Sequence, residues 1–276
     1  MPEKGIAGML LALSALAHAP LHAVVANMNP ELNEREPVAR PSEQRARAGN
    51  SSVDASTRAA GATVVGYFSF SWTPVGTGPS GADFGVAFSG WDTVGAALQA
   101  GPAAYTLSGT KYLSVGGGNG HGVLSTQMLR DFASSTPAIM NAGFGGVCFD
   151  VERSHHESEM IPTMQVAFSS CKAAGLRVMV TTSHSAPVRY DTPPGAVVDS
   201  WVANPDIDIL SPQLYTSGKE TSPEFDTSGG VAWSRWSGAR AVILPSLVDG
   251  SHYAAAVAFF SSQGISVGGY VQWRGG

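Results

Sequence analysis

Two carboxylates at the end of an apolar run are the residues of this chain best placed to do chemistry. The stretch 145–152 reads Gly-Gly-Val-Cys-Phe-Asp-Val-Glu and alternates in polarity after its glycines. Because the side chains of a strand point to opposite faces in turn, Asp150 and Glu152 share one face, about 7 Å apart. Neighbouring buried carboxylates cannot both ionise easily, which suits acid–base chemistry. The alternative is two solvated loop residues after the strand.

Eight apolar runs, mostly separated by segments with helical periodicity, predict the frame that holds this pair. The runs are 64–70, 84–88, 112–118, 145–152, 177–182, 207–215, 241–246 and 267–273. Strands that alternate with helices are typical of a parallel sheet, and eight units favour an α/β fold of the (β/α)8 TIM-barrel type. An open doubly wound sheet is the alternative. The barrel is expected to be small and to lack its eighth helix, because the sequence stops three residues after Trp273.

The first 60 or so residues differ from this alternating body. Lys4 precedes an apolar run over 5–17, and small-residue sites end at Ala19 and Ala23, a pattern typical of a secretory signal peptide over 1–23. Residues 24–62 hold many charges and prolines but few large apolar side chains, which is typical of a disordered linker or propeptide. We therefore expect the barrel over 63–276, in a protein secreted to the extracellular space.

Composition and charge argue against two classes of partner, nucleic acids and membranes. The chain has 276 residues, 13% of them charged, and a formal net charge of −5. An acidic chain is poorly suited to hold nucleic acid through phosphate contacts. The apolar run over 5–17 is too short to span a bilayer, and no other segment could cross one. We expect a monomer with neither kind of partner. Cys148 and Cys171 are expected to be buried and unpaired, on opposite sides of the predicted sheet.

Neither a metal nor a cofactor is expected. His155 and His156 precede Glu157 and Glu159, but their spacing is not His-Glu-x-x-His, and adjacent histidines diverge on a helix or loop. A dinucleotide is disfavoured because no G-x-G-x-x-G sequence follows the first predicted strand.

Polar and aromatic residues collect after the predicted strands, at the end of a barrel where active sites lie. They are Ser69, Ser71, Trp72, Gly116, Gly117, Asp150, Glu152, Ser183, His184, Gln213, Tyr215 and Trp273. Carboxylate, amide, phenol and indole groups together are typical of a sugar site. Carboxylates act on glycosidic bonds, and indole rings cover the apolar faces of sugars.

Four separated motifs of this chain resemble those of glycoside hydrolase family 18, the chitinases and endo-β-N-acetylglucosaminidases. They are Ser114-Val115-Gly116-Gly117, similar to S-x-G-G; 146–152, similar to the end of D-x-x-D-x-D-x-E; Gln213-Leu214-Tyr215, similar to Q-x-Y; and Trp273, at the place of the family's tryptophan on the eighth strand. The resemblance covers about residues 63–273.

The resemblance implies a role for each matched residue. Glu152 would be the general acid that protonates the leaving glycosidic oxygen. Asp150 would orient and charge-stabilise the substrate's acetamido group, which itself attacks the anomeric carbon. Tyr215 would donate a hydrogen bond to the acetamido carbonyl, with help from Gln213, and Trp273 would lie beneath the sugar ring. The other expected substrate contacts are Gly117, Trp72 and Tyr67. For Tyr67 the alternative is a buried position inside the barrel.

The chain departs from the family motif at two acidic positions. Gly145 and Cys148 stand where the motif has aspartates, and loss of the inner aspartate removes a proton-sharing partner of Asp150. Two functions therefore stay open. One is a secreted retaining glycosidase that cleaves β-1,4-linked N-acetylglucosamine glycans. Within this function, the two missing aspartates leave weak or lost activity open. The other is a chitinase-like lectin that binds such glycans without cleavage. Chitin, peptidoglycan-type glycan and N-glycan cores all stay open as the ligand.

Overall fold

A sheet of parallel strands closes into a barrel. The computed structural model describes residues 62–71, 78–153, 158–187 and 192–273. The strands are β1 (Val64–Phe70), β2 (Phe84–Phe88), β3 (Thr110–Gly116), β4 (Gly146–Asp150), β5 (Arg177–Ser183), β6 (Ile209–Gln213), β7 (Val242–Ile243), β8 (Ser246–Leu247) and β9 (Gly269–Gln272). Strands β1 to β6 pair in chain order, β6 pairs with β7 and β8, β8 pairs with β9, and β9 pairs with β1. Because β7 and β8 share one strand position, the barrel has eight strands, as predicted, and the open sheet is excluded.

Helices connect most of the strands. They are α1 (Val94–Ala100), α2 (Thr126–Asn141), α3 (Met160–Ala173), α4 (Pro194–Val202) and α5 (Tyr253–Ser262), with short 3₁₀ helices at Ala104–Thr106, Trp233–Trp236 and Gly250–His252. Among the described residues, no α-helix lies between β6 and β7, and none follows β9. The prediction of a small α/β barrel is therefore confirmed over this part of the chain.

Strand alternation divides the buried apolar side chains into two layers. The inner layer is formed by Phe68, Phe84, Val86, Phe88, Tyr112, Cys148, Met179, Ile209, Leu244 and Val271. In the outer layer Phe149 packs against Phe132 of α2 and Phe168 of α3, with ring centroids 4.9 Å and 5.0 Å away. Cys148 and Phe149 thus face opposite sides of β4, as the alternation predicts. Cys148 and Cys171 are both buried and unpaired, also as predicted, and they lie in different layers.

Hydrogen bonds tie together the C-terminal ends of β4, β5 and β6. Thr182 Oγ1 donates to the Val151 carbonyl at 2.7 Å, and the Val151 N–H donates to the Thr181 carbonyl at 2.8 Å. The His184 N–H donates to the Gln213 carbonyl at 3.0 Å. Side chains at this edge therefore start from a fixed backbone rather than from free loops.

Several predicted features lie outside the described residues and stay predictions. They are the signal peptide over 1–23, the linker up to residue 61, Trp72, and the histidine pair His155 and His156. Within the described ranges, no helix is both long enough and apolar enough to span a bilayer. The same ranges contain no group of three or more His, Cys, Asp or Glu side chains placed to hold a metal ion.

Candidate active site

A cleft of about 660 Å³ opens where the strands end. Its walls include five residues that the sequence predicts for the site, namely Asp150, Glu152, Gln213, Tyr215 and Trp273. They come from the ends of β4, β6 and β9, which are distant along the chain. Because all the strands are parallel, their carboxyl ends meet at one face of the barrel, and these side chains meet with them.

Asp150 ends β4 and is the buried member of the carboxylate pair, at 1% exposure, whereas Glu152 is half-buried. The Gln213 amide Nε2 lies between them, 3.3 Å from Asp150 Oδ1 and 3.4 Å from Glu152 Oε1. Burial raises the pKa of Asp150 well above its usual range, and the charge of Glu152 and a hydrogen bond to it raise it further, while the Gln213 amide opposes the rise. A proton therefore stays on Asp150 at pH values where an exposed carboxyl would be ionised.

Glu152 is held from the side of β5. Ser183 Oγ donates to Glu152 Oε2 at 2.8 Å, the shortest hydrogen bond that either carboxylate makes with a described side chain. On the side of β3, a Cβ on Gly118 would lie only 2.6 Å from the same oxygen. The carboxylate of Glu152 thus reaches across the end of β4 because residue 118 has no side chain.

The glycines after β3 differ from the sequence prediction by one position. Gly117, the expected substrate contact, is buried, and a Cβ there would lie 3.5 Å from Asp150 Oδ2. Gly118 lines the cleft in its place, beside Asn119. Gly117 therefore backs the buried carboxylate, and the third glycine of the run is the signal that could have identified Gly118.

Aromatic rings form the apolar part of the cleft. The indole of Trp273 is half-buried, and its centroid lies 4.4 Å from the ring of Phe70, 5.2 Å from Phe88 and 5.4 Å from Tyr215. Gly218, in the left-handed region at φ +73°, brings the loop after β6 against this indole. Trp273 is thus fixed at the floor of the cleft, where a sugar ring can pack on it.

The Tyr215 hydroxyl is a donor without a partner. Tyr215 is 5% exposed, and among the described residues neither its hydroxyl nor Asp150 Oδ2 makes a hydrogen bond. Burial raises the pKa of Tyr215 well above its usual range, and the charges of Asp150 and Glu152 add to the rise. The Ser246 hydroxyl opposes the rise but lies outside hydrogen-bond geometry. Tyr215 therefore stays protonated and can donate to a ligand.

Tyr215→Phe is expected to leave the melting temperature unchanged or to raise it. Among the described residues the phenol is a buried polar group without a partner, so its removal leaves nothing unsatisfied there. Thermal unfolding of the variant beside the parent measures the effect. A melting temperature lowered by several degrees would show that the hydroxyl has a structural partner.

Tyr67 lies neither in the cleft nor in the barrel interior, which corrects both placements that the sequence suggests. It is 1% exposed and packs in the outer layer, where its hydroxyl accepts a hydrogen bond from the Ser108 N–H at 2.8 Å. A Cβ on Gly85 would lie 2.9 Å from this hydroxyl. The reason is strand alternation: Phe68 faces the barrel interior, so its neighbour on β1 must face away from it.

The sequence prediction missed the contact of His184, at the end of β5, with the carboxylate of Glu224. His184 lines the cleft in the left-handed region at φ 47°, which is uncommon for a residue other than glycine. Its Nε2 lies 3.3 Å from Glu224 Oε2, which also accepts a hydrogen bond from Thr216 Oγ1 at 2.7 Å. Glu224 lies 40 residues along the chain from His184, and no local pattern links the two.

Comparisons with known proteins support the fold of this chain and do not test its chemistry. No protein-family model and no curated protein sequence matches the chain. Among solved structures, a Streptomyces coelicolor protein described as a candidate chitinase A is 14% identical, with a TM-score of 0.51 over 77% of this chain and 92% of that one. A chitinase from Chromobacterium violaceum is 14% identical, with a TM-score of 0.47 over 78% and 95% of the two chains. Concanavalin B is 10% identical, with a TM-score of 0.46 over 77% and 93%.

Identities this low show the fold alone, and of these three structures the S. coelicolor protein has the highest TM-score. It shares the barrel that positions the cleft. The resemblance predicted from four short motifs is thus confirmed for the fold alone, through the barrel that this chain shares with the S. coelicolor protein.

Proposed function

We propose that this protein is a glycoside hydrolase that cleaves β-1,4-linked N-acetylglucosamine glycans by substrate-assisted, retaining catalysis. The observation that carries the proposal is the meeting of Asp150, Glu152, Gln213, Tyr215 and Trp273 in one cleft. These residues belong to the motifs that resemble family 18. They also supply the groups that the reaction needs: an acid, a second carboxyl beside it, neutral donors and an apolar floor.

In the first half of the reaction, the acetamido oxygen of the bound sugar forms a bond to the anomeric carbon as the glycosidic bond breaks. Glu152 gives its proton to the leaving oxygen, which the half-buried position of its carboxyl at the cleft allows. Asp150 lies beside it and, on substrate binding, passes its own proton to the Glu152 carboxylate. The Asp150 carboxylate then accepts a hydrogen bond from the acetamido N–H and stabilises the positive charge that develops there. Glu152 then acts as a base on the water that opens the cyclic intermediate.

The neutral groups would hold the acetamido group for this attack. Tyr215 offers the acetamido carbonyl a protonated hydroxyl that has no hydrogen-bond partner within the described part of the chain. Gln213 already contacts both carboxylates and can keep them apart at a fixed spacing. Trp273 would place the sugar ring, because its indole is held by neighbouring rings before any ligand binds.

Sugar binding without turnover is the second candidate, and Cys148 favours it. Cys148 lies two residues before Asp150 on the inner face of β4, where the resembled motif has an aspartate. Burial raises the pKa of the Cys148 thiol well above its usual range, and the charge of Asp150 adds to it. A neutral thiol cannot share a proton with Asp150 as a carboxylate can, so a bound sugar could remain uncleaved.

The choice of substrate tests the proposal. The full chain is incubated with N-acetyl-chitooligosaccharides and, as the matched control, with fully deacetylated oligosaccharides of the same length. We expect cleavage of the acetylated series alone, because the acetamido group is the nucleophile. Cleavage of both series would contradict substrate assistance. Binding of the acetylated series in calorimetry without any cleavage would select the lectin.

Secretion and the monomeric state are proposed from the sequence alone. The signal-like segment over 1–23 supports secretion, and the low charge content suits an exported protein. Detection of the processed chain in culture medium, and a light-scattering mass equal to one chain, would test the two statements.

Chitin, the polymer of the resembled chitinases, is our first choice of ligand, ahead of peptidoglycan-type glycan and N-glycan cores.

A further inference from the structure

We propose that Ser183 is a positioning residue for Glu152, whose carboxyl it holds in both protonation states. Ser183 ends β5 and is 8% exposed, and its hydroxyl donates to Glu152 Oε2 at 2.8 Å. The contact of Gln213 with the other oxygen is much longer, at 3.4 Å. Ser183 therefore makes the main hydrogen bond to the proposed acid. This role presupposes the proposed function, because it acts only through Glu152.

The backbone around Ser183 is fixed on both sides. Thr182 before it donates to the Val151 carbonyl at 2.7 Å, which ties β5 to the segment that carries Glu152. His184 after it donates its N–H to the Gln213 carbonyl at 3.0 Å and turns the chain at φ 47°. A side chain that starts from such a backbone is preorganised, as a group that aims a catalytic carboxyl must be.

A hydroxyl suits this task because it can donate to one carboxyl oxygen whether or not the other oxygen carries a proton. A general acid that later serves as a base changes its protonation state in each half of the reaction. Ser183 can donate to Oε2 in both states, because a carboxyl oxygen that carries no proton still accepts a hydrogen bond. The Gln213 Nε2 can only donate, so it favours the ionised form. Ser183 thus holds Oε2, and Oε1, with only the long contact from Gln213 among the described side chains, exchanges its proton with the glycosidic oxygen.

A purely structural serine lies two residues away and provides the comparison. Ser185 is fully buried, donates to the Val231 carbonyl at 2.7 Å and accepts from the Ser228 N–H at 2.8 Å. Both partners are backbone groups of the loop after β6. Ser185→Ala should therefore lower stability without acting through Glu152.

Leaving-group dependence separates positioning of an acid from a general loss of structure. A departing sugar needs a proton from Glu152, whereas 4-nitrophenolate departs with little help. With the full chain, we expect Ser183→Ala and Ser183→Cys to lose about 10- to 30-fold in kcat on N-acetyl-chitooligosaccharides. On 4-nitrophenyl glycosides of the same sugars they should lose less than about 3-fold, and KM should change by less than about 2-fold on either substrate. Ser183→Thr, which keeps the hydroxyl, should retain at least about a third of the parent kcat.

Other outcomes would overturn this role for Ser183. One is an equal loss on both substrates, another is no loss in Ser183→Ala, and a third is a loss in Ser183→Thr as large as that in Ser183→Ala. If Ser183→Ala does not fold, the nearly isosteric Ser183→Cys carries the test. Ser185→Ala should lower the melting temperature and show no leaving-group dependence; the same dependence in that variant would also count against Ser183. A parent without turnover on either substrate would overturn the proposed function, and this inference with it.

Discussion

Glu152→Gln is expected to lower kcat on N-acetyl-chitooligosaccharides about 1,000-fold with little change in KM. Removal of a general acid has an effect of this order when the leaving group is a sugar. The amide has nearly the same shape as the carboxyl and can still accept the hydrogen bond from Ser183, so the cleft should keep its geometry. Steady-state kinetics measure the loss, and calorimetry with the same oligosaccharide checks that binding persists.

The matched control for this variant is Glu159→Gln. Glu159 is an exposed glutamate that pairs with Arg130 at 2.8 Å on the protein surface, away from the cleft lining. A surface ion pair of this kind contributes little to stability, so full activity is expected. Equal turnover by the parent and Glu152→Gln would mean that another residue is the acid.

Asp150→Asn is expected to lower kcat about 300-fold, because a neutral amide no longer stabilises the charge that develops on the acetamido group. Asparagine keeps the size of the side chain and its contact with Gln213, so KM should change much less than kcat. Kinetics of the variant beside Asp131→Asn, an exposed aspartate of α2, measure the effect. Activity within a few-fold of the parent would show that Asp150 has no part in the reaction.

The same Asp150→Asn variant should be more stable than the parent at neutral pH. The pKa of Asp150 is raised in the folded protein by burial and by Glu152, so the folded state binds this proton more tightly than the unfolded state. Below the unfolded pKa of about 4, both states are protonated and the carboxyl costs nothing. The tighter binding of this proton stabilises the folded protein, and that stabilisation is lost as the pH rises through the pKa of folded Asp150. A neutral asparagine does not titrate and so avoids the loss. Thermal unfolding at about pH 7 and about pH 3.5 should show a gain only at the higher value.

Much of the site could be predicted because it follows from simple geometry. Alternation along β4 placed Asp150 and Glu152 on the inner face, away from Phe149. The rule that parallel strands end together then brought Gln213, Tyr215 and Trp273 to the same cleft. These inferences need only the period of a strand and the order of the strands.

Other features could not be predicted from periodicity. The predicted seventh strand over 241–246 is divided into β7 and β8 around Pro245, which has no N–H to donate to a neighbouring strand. The contacts of Ser183 with Glu152 and of His184 with Glu224 depend on register and rotamer across the barrel, which no local pattern specifies. Tyr67 was assigned to the site although alternation with Phe68 places it outside, so this error was avoidable.

The most direct test of the proposed function is the configuration of the first product. N-acetyl-chitopentaose is incubated with the full chain, and proton NMR follows the anomeric signals of the new reducing ends before they equilibrate. We expect hydrolysis with the β-anomer formed first, because attack by the acetamido group and then by water inverts the anomeric carbon twice. Initial release of the α-anomer, or no hydrolysis by a protein shown to be folded, would contradict substrate-assisted retaining catalysis in this cleft.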